Sequence, residues 1–135
     1  MGMVQTVTFS AGSPASWPAT RDLLASQRFP VQVRMIDGEL AFPDEEPPDN
    51  WRELRLVTPE GMTVTARRER DQLALVVWGN ADAGLVQAWN AITWAFAAAG
   101  NGQIHTSNGL TETAAEYRNH ADLPAVLGNK PESGA

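Results

Sequence analysis

Apolar and polar positions along this chain write the same unit twice. From Val4 to Val33, VQTVTFS alternates, with Val7 and Phe9 on one face and Thr6 and Thr8 on the other, as a half-buried strand does. A polar turn, AGSPAS, leads into WPATRDLLASQR, where Trp17, Thr20, Leu23, Leu24 and Gln27 form a helical stripe. PVQVRMI then returns to alternation. From Leu73 to Thr106 the order repeats: LALVVWG, the turn NAD, the helix AGLVQAWNAITWAFAAAG and the short strand GQIHT. Two strand–helix–strand units in one chain are the grammar of a split β-α-β fold.

Local signals fix the boundaries. Ser13 and Ser16 are both candidate caps for the first helix, with Pro18 tolerated in its first turn. Phe29-Pro30 ends it, because the residue before proline is pushed out of helical geometry. Asp37-Gly38, flanked by VQVRMI and ELAF, predicts a type I′ hairpin with Val31, Val33 and Met35 on one face and Gln32 and Arg34 on the other. PDEEPPDN, residues 43–50, is a loop. Residues 51–57 and 62–67 flank Thr58-Pro59-Glu60-Gly61 as a second hairpin, with Leu54 and Leu56 opposite Arg55. The run at 73–78 is apolar on both faces, which suits a central strand. Asn80 or Asp82 caps the second helix, whose core face holds Leu85, Trp89, Ile92 and Phe96. Gly100-Asn101-Gly102 stops it. Thr113 to Glu116 matches a capping box for a short helix through Asn119, and Leu123 to Leu127 is a candidate packing segment.

The expected fold is α+β: a two-layer sandwich in which a mostly antiparallel sheet carries two main helices on one face. Its core is a split β-α-β, ferredoxin-like arrangement, with the strands between Glu39 and Arg67 inserted into the sheet. The alternative is a helix-grip-like curved sheet around the second helix. Residues 1–127 form one domain, and 128–135 are expected to be a disordered tail.

Composition narrows the chemistry. A length of 135 residues with 43% hydrophobic content suits a single globular domain. The net charge is −6, with nine arginines and one lysine, Lys130. That balance opposes attraction to phosphate backbones and anionic membranes, so neither nucleic acid nor membrane is the expected partner. The absence of cysteine removes thiol catalysis, disulfides and cysteine metal sites. MGMVQTVTFS has no positive n-region and no long apolar run, so no signal peptide is expected, and the expected location is the cytoplasm. The preference for arginine and alanine suggests a bacterial, GC-rich coding sequence.

Candidate chemistry is sparse. No GxxxxGK[ST] or GxSxG motif is present, and no cofactor is expected. His105, His120 and Glu116 could approach one another, but they match no metal-binding motif and no metal site is assigned. Arg34, Arg52, Arg55 and Arg67 could form a ladder on the outer sheet face, or pair with carboxylates such as Glu39 or Glu53. The two strand-to-helix turns would place Ser13 and Asn80 near side-by-side helix N-termini, a weak anion site. Trp94 falls on the side of the second helix opposite Leu85, beside Gln87 and Asn90, and a ring there needs a cover. The segment Leu123 to Leu127, a partner or a second copy could supply it. Asp44, Glu45, Glu46 and Asp49 form an acidic run that suits a partner with a basic surface.

These features lead to the expectation of a small non-catalytic binding or protein-interaction domain, for example an acidic antidote or immunity-type protein. Its contact residues would be Trp94, Asp44, Glu45, Glu46 and Asp49, and its partner a basic protein surface or another copy of the chain. The alternative is a small-molecule-binding domain or small enzyme with a pocket between sheet and helices.

Overall fold

The alternation in residues 3–9 becomes strand β1 (Met3–Phe9), with Gln5, Val7 and Phe9 buried. The structure, a computed structural model, describes residues 3–10, 16–42, 45–69, 72–79 and 82–127. Helix α1 (Trp17–Ser26) follows; Ser16 Oγ accepts from the Ala19 amide at 3.3 Å, and Pro18 sits in the first turn. Of the two serines considered as caps, Ser13 lies outside the described residues. The hairpin of β2 (Gln32–Ile36) and β3 (Glu39–Leu40) turns at Asp37 (φ 51°) and Gly38 (φ 86°), the paired positive φ of a type I′ turn. Asp37 Oδ1 also accepts from the Arg52 and Glu53 amides at 2.7 and 2.8 Å, so the turn clamps the start of β4 (Glu53–Val57). Replacing Gly38 by Val should cost about 1–3 kcal/mol, because a β-branched side chain is strained at that φ. An unchanged urea midpoint for Gly38→Val would contradict this role for the turn.

Strands β5 (Thr63–Glu69) and β6 (Gln72–Val77) continue the sheet, followed by α2 (Ala83–Gly100), β7 (Gly102–His105), β8 (Thr111–Thr113) and α3 (Ala114–His120). A 3-10 turn spans Ala125–Leu127. All eight strands form one open antiparallel sheet in the order β3-β2-β4-β5-β6-β1-β7-β8. With three α-helices among the described residues, the protein is α+β. No described helix is long and apolar enough to cross a membrane.

β6 sits between β5 and β1, and residues 73–77 are buried on both faces, as their composition requires. β6 and β7 flank β1, each antiparallel to it and so parallel to each other, and α2 connects them. β1 and β2 are also parallel, but β6, β5 and β4 stand between them. The second hairpin therefore widens the sheet from within.

The antiparallel pairing of β1 with β6 corrects one expectation. Met3 faces Val77 and Thr8 faces Gln72, so the two strands end at opposite edges of the sheet. Phe9 and Val77, the last residues of the two strands, then lie about 20 Å apart along the strand direction. Ser13 and Asn80, the residues considered for an anion site, are both outside the described residues.

A second correction concerns β2. The register shifts between Val33 and Met35. A bulge adds a residue to one strand and so changes which side the following side chains take. Val31 and Val33 are in the core, whereas Met35 lies opposite Arg55 and Leu40 on the outer face, and Ile36 packs inward instead.

α2 lies against β1, β6 and β7 and touches both α1 and α3. Every residue from Ala88 to Ala97 is buried, so this helix has no solvated face over its central turns. Trp89 Nε1 donates to the Leu75 carbonyl at 2.8 Å, anchoring the helix to β6. Phe96 packs 5.9 Å from the Trp17 ring and 6.4 Å from the Trp51 ring, joining α1, α2 and the chain leading into β4. The helix stops at Asn101, which takes the left-handed conformation that a glycine commonly fills. Gly102 then opens β7 against Phe9, where a Cβ would stand 2.7 Å from the Thr8 carbonyl oxygen.

Candidate interaction surface

The outer side of α2 is closed by the C-terminal part of the chain. Tyr117 of α3 is buried, and its hydroxyl lies 2.7 Å from Gln5 Oε1 and 2.8 Å from Asn90 Oδ1. Gln5 Nε2 donates to Asn90 Oδ1 at 3.0 Å and approaches Thr93 Oγ1 at 3.3 Å. Asn90 Nδ2 donates to the Asp122 carbonyl at 2.9 Å, and Gln87 Nε2 to Asp122 Oδ1 at 3.1 Å. Burial raises the Tyr117 pKa above its ordinary value, opposed in part by the hydrogen bond to Gln5. Of the polar residues that mark this helix side as outward in the sequence, Asn90 is thus part of a buried hydrogen-bonded network and Gln87 is half-buried at its rim.

Trp94 is in the same covered region and only 5% exposed. The Arg118 guanidinium stands 4.6 Å over its ring. Arg118 in turn donates to Gln27 Oε1 at 3.0 Å and to the Leu127 carbonyl. Leu123 and Leu127 are buried. The cover is therefore intramolecular, an arginine of α3 tied to the 3-10 turn. A groove of about 570 Å³ passes beside Trp94 and Gln103, and among the described residues Arg118 is the one ionisable side chain lining it.

The acidic loop crosses from the end of β3 to Trp51 and is held by its own groups. Glu45 Oε1 accepts from the Phe42 amide at 3.1 Å, while the Glu45 amide donates to the Phe42 carbonyl at 2.9 Å. That pair satisfies the backbone of Phe42 just past the edge strand. Glu46 Oε2 lies 3.6 Å from Arg21 Nη1 of α1. Arg68 stacks 4.5 Å over the buried Trp51 ring. Burial lowers its pKa, and the charges of Asp37 and Asp49 oppose that shift. Glu45, Glu46 and Asp49 are exposed, and the first two are engaged inside the chain. Asp44 lies outside the described residues.

The histidines are engaged separately. His105 stands 2.9 Å from Thr8 Oγ1 and 3.1 Å from Thr111 Oγ1. His120 Nε2 lies 2.5 Å from Glu112 Oε1. Glu116 completes the capping box of α3 with Thr113. Among the described residues no three His, Asp or Glu side chains converge on a point that could hold a metal.

The most exposed apolar residues lie elsewhere, on the outer face of the sheet. The ladder register aligns one row as Leu40, Met35, Arg55, Thr65, Val76 and Val4, spanning β3, β2, β4, β5, β6 and β1, with Thr65 and Val76 in its middle buried. Five inter-strand steps make it about 24 Å long. The next row holds Gln32, Val57 and Thr63. Trp78 lies just past the last paired residue of β6, two residues after Val76. Leu40 is 80% exposed, Phe42 74% and Trp78 58%. Leu40, Phe42, Val57 and Arg34 line an open groove of about 400 Å³. In the third row Arg67 Nε pairs with Glu53 Oε1 at 3.3 Å, so the arginine ladder is broken by a cross-strand ion pair.

Sequence reasoning missed this surface for two reasons. The bulge in β2 moves Met35 onto it, and Trp78 reads as the last residue of a central apolar strand. Comparison of the chain with family models, curated proteins and solved structures finds no match.

Proposed function

We propose that this protein is a non-catalytic protein-interaction domain whose contact surface is the outer face of the sheet. The observation that carries the reading is the pair of exposed apolar groups at the two ends of adjoining rows: Leu40 and Phe42 at the β3 edge, and Trp78 across the sheet. Exposed apolar surface of this kind marks contact sites on soluble domains, because leaving it in water costs free energy that a partner recovers. The acidic loop is a weaker candidate, since Glu45 and Glu46 already serve Phe42 and Arg21. Trp94 would have to lose Arg118 before a partner could reach it. The strand order also supports a split β-α-β, ferredoxin-like core widened by β4 and β5, with α1 and α2 together on the opposite face.

The test is a triple variant, Leu40→Ser, Phe42→Ser and Trp78→Ser. Exposed positions tolerate such changes within about 0.5 kcal/mol each, so the fold is expected to persist. In capture from a lysate of the source organism, the variant is expected to lose proteins that the wild type retains. Capture of the same set by both forms would contradict the surface.

A further inference from the structure

The charges on the same face identify the partner's chemistry. Arg34 and Arg55 are exposed there, between the two apolar groups, and neither belongs to an ion pair among the described residues. Arg55 Nη1 reaches only the Met35 sulfur, at 3.4 Å. Of the carboxylates on or beside this face, Glu53 is committed to Arg67, Glu69 accepts from Gln72 at the far end of β5, and Glu45 accepts from the Phe42 amide, so none of them pairs with Arg34 or Arg55 among the described residues. The acidic loop sits toward α1, where Glu45 shares a groove with Trp17 and Arg21. A protein of net charge −6 thus keeps a locally positive, apolar-flanked strip on its outer sheet face.

We infer that this strip receives an acidic segment of another protein, one whose carboxylates meet Arg34 and Arg55 while its apolar side chains cover Leu40, Phe42 and Trp78. The inference rests on the proposed interaction role and reverses the sign of the partner expected from overall charge. Long-range repulsion by the net charge would slow approach of such a segment. Local pairing with arginine favours it once docked, because guanidinium–carboxylate bonds are charge-assisted and directional.

Two short labelled peptides test it, one alternating Leu with Glu and one alternating Leu with Lys, read by fluorescence anisotropy against the full chain at low and high salt. The Glu peptide is expected to bind about tenfold more tightly at low salt, the scale of two exposed ion pairs. Arg34→Glu with Arg55→Glu should reverse that preference while leaving the circular dichroism spectrum unchanged. Equal affinity for both peptides, or preference for the Lys peptide, would overturn the acidic partner. If Leu40→Ser and Phe42→Ser still weakened the observed binding, the outer face would survive as the docking surface. Binding of neither peptide would overturn the acidic partner, and the lysate comparison would then judge the surface on its own. Dimerisation of the wild type abolished by these substitutions would assign the strip to a second copy instead.

Discussion

Phe96→Ala should lower the unfolding free energy by about 3–5 kcal/mol, the range for truncating a fully buried phenylalanine. Phe96 has no exposed surface and stands between Trp17 and Trp51. Removing the ring leaves a cavity where α1, α2 and the entry to β4 meet, and the two indoles cannot both close it. For a domain whose total stability is about 5–15 kcal/mol, the loss is a large share. Urea denaturation followed by tryptophan fluorescence measures it, and both flanking indoles report the site directly. A loss below about 1 kcal/mol would mean that this aromatic contact does not join the three elements.

Tyr117→Phe should cost about 1–3 kcal/mol despite its near-identical shape. The hydroxyl is the donor that reaches Gln5 Oε1 and Asn90 Oδ1, and without it Gln5 Oε1 loses this buried partner. The same residue makes stability depend on alkaline pH. Its folded pKa is raised above the ordinary value of 10.0, so the buried neutral form contributes stability fully present below pH 10.0. That contribution is lost as the pH rises toward the folded pKa, because the unfolded chain ionises first. The wild type should therefore lose stability above about pH 10, and Tyr117→Phe should lose less over the same window. Parallel pH dependence of the two forms would remove Tyr117 as the cause.

What the sequence made legible was local. Asp37-Gly38 demands two positive φ values in succession and receives them. Thr113 and Glu116 form their capping box because both groups lie within one turn. The double apolarity of residues 73–77 could only be satisfied in the middle of the sheet. What escaped depended on distant parts of the chain. The bulge in β2 arises from its pairing with β4, and the alternation in VQVRMI gives no sign of it. Strand β8 is three residues long and gains its identity from β7.

The two tryptophans show the limit most clearly. Trp94 reads as outward on a helical wheel, yet Arg118 of α3, tied to the 3-10 turn, stands over it. Trp78 reads as strand core, yet it ends up exposed just past the last paired residue of β6. A wheel or an alternation specifies sides of one element. It cannot specify which side another segment will cover.

Site-specific photo-crosslinking most directly tests the claim that the outer sheet face is the contact surface. Benzoylphenylalanine placed at Phe42 or Trp78 should give adducts with a partner in cells, whereas the same group at Glu46 on the acidic loop or at Asn108 in the β7–β8 turn should not. Adducts from position 46 with none from positions 42 and 78 would contradict the account and return the interface to the acidic loop.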